Sequence, residues 1–301
     1  MPTTRMHVDE VDTDVSLVHR LLATQFPQWA DLHVEHVRSA GTSNALYRLG
    51  SDMVVRLPRI PKASLQVQKE QQWLPKLAPH LPLAVPTPLA IGIPGESFPW
   101  EWSIYQWIEG KTMSIDNEAD RQQAIDLAQF VKALHQVDTT GAPLPGEHNS
   151  TRGEPLETRN EQSRRLIAQL KDTFDADAMI KVWDAALNAP VWDKPPVWVH
   201  GDLLQGNILI ANGRLSAVID FGLLGIGDPA CDIMAAWTIL SSETRGVFRD
   251  TLQADDPMWA RARGWALWAG LVAYPYYKHT NPTLAAIAER AILETIADAT
   301  F

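Results

Sequence analysis

The sequence predicts an α+β protein in two lobes, a small antiparallel-sheet lobe with one main helix followed by a larger, mostly helical lobe. Three observations carry this. At 301 residues the chain exceeds what one core usually fills, since single cores stop growing near roughly 250 to 300 residues. The early part of the chain alternates apolar and polar side chains around Gly-containing turns, which is the hairpin pattern. From Gly110 onward the apolar spacing turns helical. The division falls between a sheet lobe at 1–107 and a helical lobe at 108–301.

Taken in order, HVEHVRSA, the turn Gly41-Thr42-Ser43-Asn44, ALYRLG, the turn Gly50-Ser51-Asp52 and DMVVRLP read as strands joined by turns. After Pro58 and Pro61, Ser64 is placed to cap a helix through Val67, Glu70, Trp73 and Leu74, which Pro75 and Pro79 would end. LPLAVPTPLAIGIPG and the β-rich EWSIYQWI then complete the sheet. In the second lobe Asp116 is a possible cap for a helix carrying Ala124, Leu127, Ala128, Val131 and Leu134. The exception to its helical character is 197–221, where VWVH, ILIA and LSAVIDF are short β-type runs separated by HGDLLQGN and the hairpin turn Asn212-Gly213. Helices resume at Ala230, with breaks expected near Asp255-Asp256-Pro257 and Tyr274-Pro275.

Composition limits the function classes. The apolar share of 46% and charged share of 21% are those of a compact globular protein. The start, MPTTRMHVDEVDTD, lacks a basic stretch followed by an apolar run, so no secretory or transit signal is expected. The apolar stretch from Gly264 is too short for a bilayer and contains Pro275, so no membrane association is expected. Cys231 is the only cysteine, which excludes an intramolecular disulfide and suits a reducing, cytoplasmic compartment. The formal charge of −10 disfavours nucleic acid as a partner. Its placement is uneven, with nine Lys/Arg against ten Asp/Glu before Ile108 and seventeen against twenty-six from there on. No feature calls for an obligate protein partner.

The strongest chemical signal is His200-Gly201-Asp202-Leu203-Leu204-Gln205-Gly206-Asn207, followed by Asp220-Phe221-Gly222 at the end of an apolar strand. Phosphoryl transfer asks little covalent help of a protein; it needs held phosphates, a neutralising Mg²⁺ and a group that accepts the hydroxyl proton. Hard oxygen ligands suit that metal. Asp220 would ligate Mg²⁺ at the phosphates, Asn207 would supply a neutral oxygen to a second Mg²⁺, and Asp202 would orient the acceptor hydroxyl and take its proton. Singly, each residue is also an ordinary turn former. His200 reads as a buried orienting residue.

These motifs resemble the aminoglycoside phosphotransferases and related small-molecule kinases. The matching segments are AGTSNALYRLG, DMVVRLPR, YQWIEG, VWVHGDLLQGNILI, AVIDFG and GDPACD, spread over nearly the whole chain. The resemblance implies a bilobal protein-kinase-like fold, ATP or GTP as phosphoryl donor, and a first lobe that binds the nucleotide phosphates. It implies that Gly41, Thr42, Ser43 and Asn44 form the turn over the phosphates. The family's strand cation, usually Lys, falls on Arg56, paired with Glu70, although Arg59 is an alternative partner. Main-chain atoms of Gln106, Trp107 and Ile108 would meet the purine. Asp228 and Asp232 read as a turn former and a helix-entry cap.

A protein acceptor is disfavoured, because only nine residues separate Gly222 from Asp232 and no Ala-Pro-Glu occurs. A small acceptor is expected. The acidic second lobe would attract a cationic one, such as an aminoglycoside-type antibiotic. A macrolide, a choline-like amine or another metabolite hydroxyl are the alternatives, with Trp237, Trp259, Trp265, Trp268, Tyr274, Tyr276 and Tyr277 available either for caging an amine or for core packing. Two further readings are an inactive nucleotide-binding module, suggested by the Arg at 56, and a metal-dependent hydrolase.

Overall fold

A computed structural model of the chain describes residues 10–38, 41, 43–114 and 119–298. Tertiary contacts divide it into two compact units. One runs through Pro79 and adds Ala84–Glu109 and Val218–Gly222; the other holds His80–Leu83, Gly110–Ala217 and the chain from Leu223 onward.

The first unit opens with α1, Val15–Gln25, whose N-cap Asp14 accepts the Leu17 N–H at 2.7 Å. This helix has no counterpart among the elements expected from the sequence. Five antiparallel strands follow: β1 (Val34–Val37), β2 (Asn44–Leu49), β3 (Met53–Pro58), β4 (Pro88–Gly92) and β5 (Trp102–Gln106), in the order β1-β2-β3-β5-β4. Strand side chains alternate between faces. Tyr47, Leu49, Val55, Leu57 and Ile104 pack with Val18, Leu21 and Leu22 of α1 into one core. Residues between them are left for the other face, where α2 (Pro61–Leu77) lies between β3 and β4 in sequence.

That helix departs from expectation at both ends. It starts at Pro61 behind the N-cap Ile60, because proline at the first position lacks only an N–H that would be unbonded anyway. Ser64 instead bonds back to the Pro61 carbonyl at 2.6 Å. Pro75 falls inside the last turn, where it removes a single ladder bond, and the helix runs on to Leu77.

In the second unit, α3 (Arg121–Gln136) begins with a capping box between Asp120 and Gln123; Asp116 lies outside the described residues. Two helices, α4 (Asn160–Leu170) and α5 (Ala176–Asn188), lead to the β segment. There β6 (Lys111–Thr112), β8 (Ile208–Ala211) and β9 (Arg214–Val218) form one sheet, while β7 (Val197–Val199) pairs with β10 (Gly225–Gly227). Asn212 and Gly213 both have positive φ, 52° and 75°, as the tight hairpin requires. The short helices α6 (Ala230–Ile233) and α7 (Ala235–Thr238) precede α8 (Ser242–Leu252), α9 (Asp256–Tyr277) and α10 (Pro282–Ala297). No break occurs at Tyr274-Pro275, since Pro275 sits in the final turn of α9. Trp237 and Trp265 are fully buried, and Trp268 nearly so. Among the described residues no helix is long and apolar enough to cross a membrane.

Candidate active site

In the first unit, strand alternation sets the chemistry. Val55 and Leu57 face α1, so Arg56 between them projects from the opposite face. Its Nη1 donates to both oxygens of Glu70 at 2.8 Å, and its Nη2 donates to Asp220 Oδ1 at 2.6 Å. Asn44, with its amide oxygen turned to the guanidinium, accepts from Nη2 at 2.9 Å and from Nε at 3.1 Å. A guanidinium has five N–H donors, and all five are engaged. Burial alone would lower the Arg56 pKa, but Glu70 and Asp220 outweigh it and raise the pKa above its ordinary value. Glu70 is 1% exposed and also accepts from the Tyr105 hydroxyl at 2.5 Å. Burial, reinforced by Glu70, pushes that phenol well up. Arg59 is not a partner of Glu70; it pairs with Glu10 at 2.7 Å.

Asp220 has a left-handed φ of 62°, and its side chain stays 42% exposed. The turn it begins is fixed from α2. Lys69 Nζ donates to the Gly222 carbonyl at 3.0 Å, and burial lowers the Lys69 pKa to about 8. Gln66 packs so closely that a Cβ on Gly222 would come within 2.4 Å of its amide oxygen. Neither Lys69 nor Gln66 stands out in the sequence, because their role depends on a turn some 150 positions downstream.

Of the purine-side residues, Gln106 donates its N–H to Thr87 O at 2.9 Å and Trp107 donates to Asp52 O at 2.7 Å. Those two donors are therefore committed, and Ile108 is the one of the three without a main-chain bond among the described residues. Arg48 lies over the Trp107 ring at 4.0 Å, pairs with Glu109 at 3.0 Å and donates to the Ser51 carbonyl. The Arg48 hydrogen bond holds the Glu109 carboxyl below its usual range. In the preceding turn, Gly41 is exposed and the Ser43 carbonyl accepts from Arg59 N at 2.8 Å, while Thr42 lies outside the described residues.

In the second unit, the loop after β7 is held from below. The buried Asp232 carboxylate accepts the N–H groups of His200 and Gly201, each at 2.8 Å. Asp232 was expected to cap a helix entry; it sits within α6, and its carboxylate instead takes the two loop donors, which are stronger partners for a buried anion. His200 is fully buried, and its Nδ1 accepts from Asp202 N at 3.2 Å. Gly201 has φ 80°, and a Cβ there would lie 2.7 Å from the Leu223 carbonyl, so no other residue fits the bend. Thr238 Oγ1 donates to Leu203 O at 3.0 Å. Asn207 donates its amide nitrogen to Asp202 O at 2.8 Å and to Asp202 Oδ2 at 3.2 Å. With its nitrogen so used, the amide presents its oxygen on the other side. Asp228 accepts from Ala230 N at 2.9 Å as a turn former and also pairs with Arg261 at 2.7 Å.

Comparison with known proteins bears on this geometry. A family model described as the phosphotransferase enzyme family matches residues 36–265. The chain belongs to this family. An aminoglycoside 3′-phosphotransferase of Escherichia coli is 28% identical over 215 residues, covering 65% of this chain and 73% of that relative. Among solved structures, the GDP complex of wild-type aminoglycoside 2′-phosphotransferase-IIIa superposes with a TM-score of 0.72 at 18% identity, covering 96% of this chain and 100% of that one. A macrolide 2′-phosphotransferase from Brachybacterium faecium gives 0.59 at 24%, covering 93% and 98%. At these identities the structural likeness shows a shared phosphotransferase fold. Within it, residues of the first unit surround Arg56, and the second unit carries the Asp202 loop.

Proposed function

We propose that this protein transfers the terminal phosphoryl group of ATP or GTP to a hydroxyl of a small molecule. The observation that supports the reading is the Asp202 loop, in which Asn207 donates to the Asp202 carboxylate, His200 accepts the Asp202 backbone N–H and Asp232 holds the preceding N–H groups from beneath. A carboxylate held this way suits taking the acceptor proton.

Mg²⁺ takes oxygen ligands and is commonly bound through one or two protein groups together with substrate phosphates. The carboxylate of Asp220 and the amide oxygen of Asn207 are donors of that kind. When bound, such an ion neutralises charge on the phosphates. Arg56 keeps Asp220 oriented, and Glu70 keeps Arg56 in place. Gly41, Thr42, Ser43 and Asn44 would close over the phosphates, and the 106–108 segment would meet the purine chiefly through Ile108. In this reading 1–107 is the nucleotide lobe and 108–301 the acceptor lobe, and the protein acts in the cytoplasm.

An aminoglycoside-type acceptor is supported by the 28% identical relative and by the excess of acidic residues in the second part of the chain. A second reading, another metabolite hydroxyl, is favoured by the buried arginines Arg152 and Arg159 in the same unit as Asp202. Antibiotic resistance is one role such a fold serves and ordinary metabolism another. The test is release of ADP or GDP against a panel of aminoglycosides, macrolides, amino alcohols and hydroxy acids. Acceptor-dependent turnover is expected, and nucleotide loss at the same rate with and without acceptor would instead identify a hydrolase.

A further inference from the structure

Arg152 and Arg159 are 9% and 7% exposed, and neither forms an ion pair among the described residues. Arg159 spends its Nη2 on Ser150 O at 3.2 Å, Thr151 O at 2.6 Å and Thr151 Oγ1 at 2.8 Å. Its Nε, together with Nε and Nη1 of Arg152, is buried without a hydrogen-bond partner. The two guanidinium groups share aromatic walls: each lies 4.5 Å from the Trp268 ring, and Trp265 is 4.7 Å from Arg159 and 5.9 Å from Arg152. Aromatic faces offset part of the cost of burying a cation, but they do not satisfy N–H donors. Two like charges side by side also repel, and after burial the Arg152 charge is the next cause lowering the Arg159 pKa.

Of the nearby carboxylates, Asp228 is committed to Arg261 and Asp232 to the N–H groups of His200 and Gly201, while Glu154 acts on Arg159 through its charge without forming an ion pair with it. Two planar forks with buried, unbonded donors are well suited to an oxyanion. The location gives it a use. A Cβ on Gly201 would lie 3.1 Å from Arg152 Cγ, so the stem of Arg152 touches the residue directly before Asp202. This sets the Arg152 side chain against the loop that carries Asp202.

The segment is also firmly seated. Asn149 is fully buried and leaves Gly225 no room for a Cβ, Gly153 packs on Gly227, and Ser150 and Thr151 hold left-handed φ of 53° and 56°. Its outer residues Pro155, Glu157 and Thr158 are exposed, while Leu156 between them is buried so close to α9 that a Cβ on Gly264 would lie 2.8 Å from it.

We propose that Arg152 and Arg159 form an oxyanion site on the acceptor side, binding a carboxylate or phosphoryl group of the molecule whose hydroxyl faces Asp202. This rests on the phosphotransferase reading and sharpens it. The acceptor is a hydroxylated acid or phosphate ester in preference to a polyamine.

Two measurements on the full chain separate the claims. In the first, nucleotide consumption is followed with glucose, gluconate, glucose 6-phosphate and glucosamine as matched neutral, carboxylate, phosphate and amine acceptors. An anionic member is expected to lead by about tenfold or more in kcat/KM, and Arg152→Gln or Arg159→Gln to raise its KM by a similar factor, with partial rescue by Arg152→Lys. Glucosamine leading, or a KM indifferent to both arginines, overturns the site. In the second, inorganic phosphate and acetate are compared by thermal melting. At least one should raise the melting temperature of the wild type and not of Arg152→Gln, whose own melting temperature without ligand should not fall, because an unpaired buried charge has been removed. Equal shifts in both proteins overturn the proposal even if phosphotransfer is found. An Arg152-dependent shift in a protein that phosphorylates none of the four sustains the oxyanion site while the phosphotransferase reading is tested elsewhere.

Discussion

Replacing Arg56 with Met should destabilise the first unit by about 3 to 5 kcal/mol, the usual loss when one member of a buried ion pair is removed. The size follows from Glu70, which is 1% exposed and would retain only the Tyr105 hydroxyl as a partner. Asp220 adds little to this figure, because its side chain is 42% exposed and solvent screens it. Changing Glu70 to Met as well removes the stranded charge and leaves the buried Tyr105 hydroxyl without Glu70, at about 1 to 3 kcal/mol, beside the less buried Asn44 amide that either variant deprives of Arg56. The double variant should therefore be more stable than Arg56→Met alone, a coupling that a double-mutant cycle reads directly. Urea unfolding followed by tryptophan fluorescence is a suitable assay, since Trp73 and Trp102 are buried in the same unit. A single variant within about 1 kcal/mol of wild type, or a double variant no more stable than the single, would refute the reasoning.

Three other outcomes follow from named contacts. Lys69, with a pKa lowered by burial to about 8, binds fewer protons folded than unfolded between there and its ordinary 10.5, so stability should rise with pH across that window by on the order of 3 kcal/mol; Lys69→Met should flatten the rise, and parallel profiles would contradict it. Asp232→Asn weakens the two N–H bonds that seat the Asp202 loop and, on the proposed reaction, should lower kcat by about 10²-fold with the nucleotide KM little changed, as steady-state kinetics would show. Gly92→Ala places a methyl 1.9 Å from the Trp102 ring and should destabilise by roughly 1 to 3 kcal/mol in thermal melting. Gly246→Ala, in α8 with nothing within 4 Å, serves as the control that should not.

The parts of this molecule legible in the sequence are those with local causes. Alternation around Gly50 and Asn212-Gly213 marks the hairpins, and the spacing of Ala124, Leu127, Ala128 and Val131 marks α3. Asp202, Asn207 and Asp220 stand out because their chemistry is written in short runs. Helix ends were less legible: Pro61 starts α2 and Pro75 and Pro275 are absorbed in last turns, because a proline near a terminus removes few bonds. Of the supporting residues, Glu70 and His200 were legible and the rest were not. Asp232 reads as a cap until its carboxylate is seen under a loop 31 positions earlier. Arg152 and Arg159 look like ordinary loop cations, and only the fold brings them against Trp265 and Trp268 more than a hundred positions on.

The central claim rests on Asp202, and the most direct measurement is acceptor-dependent nucleotide turnover in Asp202→Asn beside the wild type, with nucleotide affinity titrated in parallel. Turnover should be lower by about 10² to 10⁴ in the variant, with nucleotide affinity essentially unchanged. Equal turnover in the two proteins would contradict it.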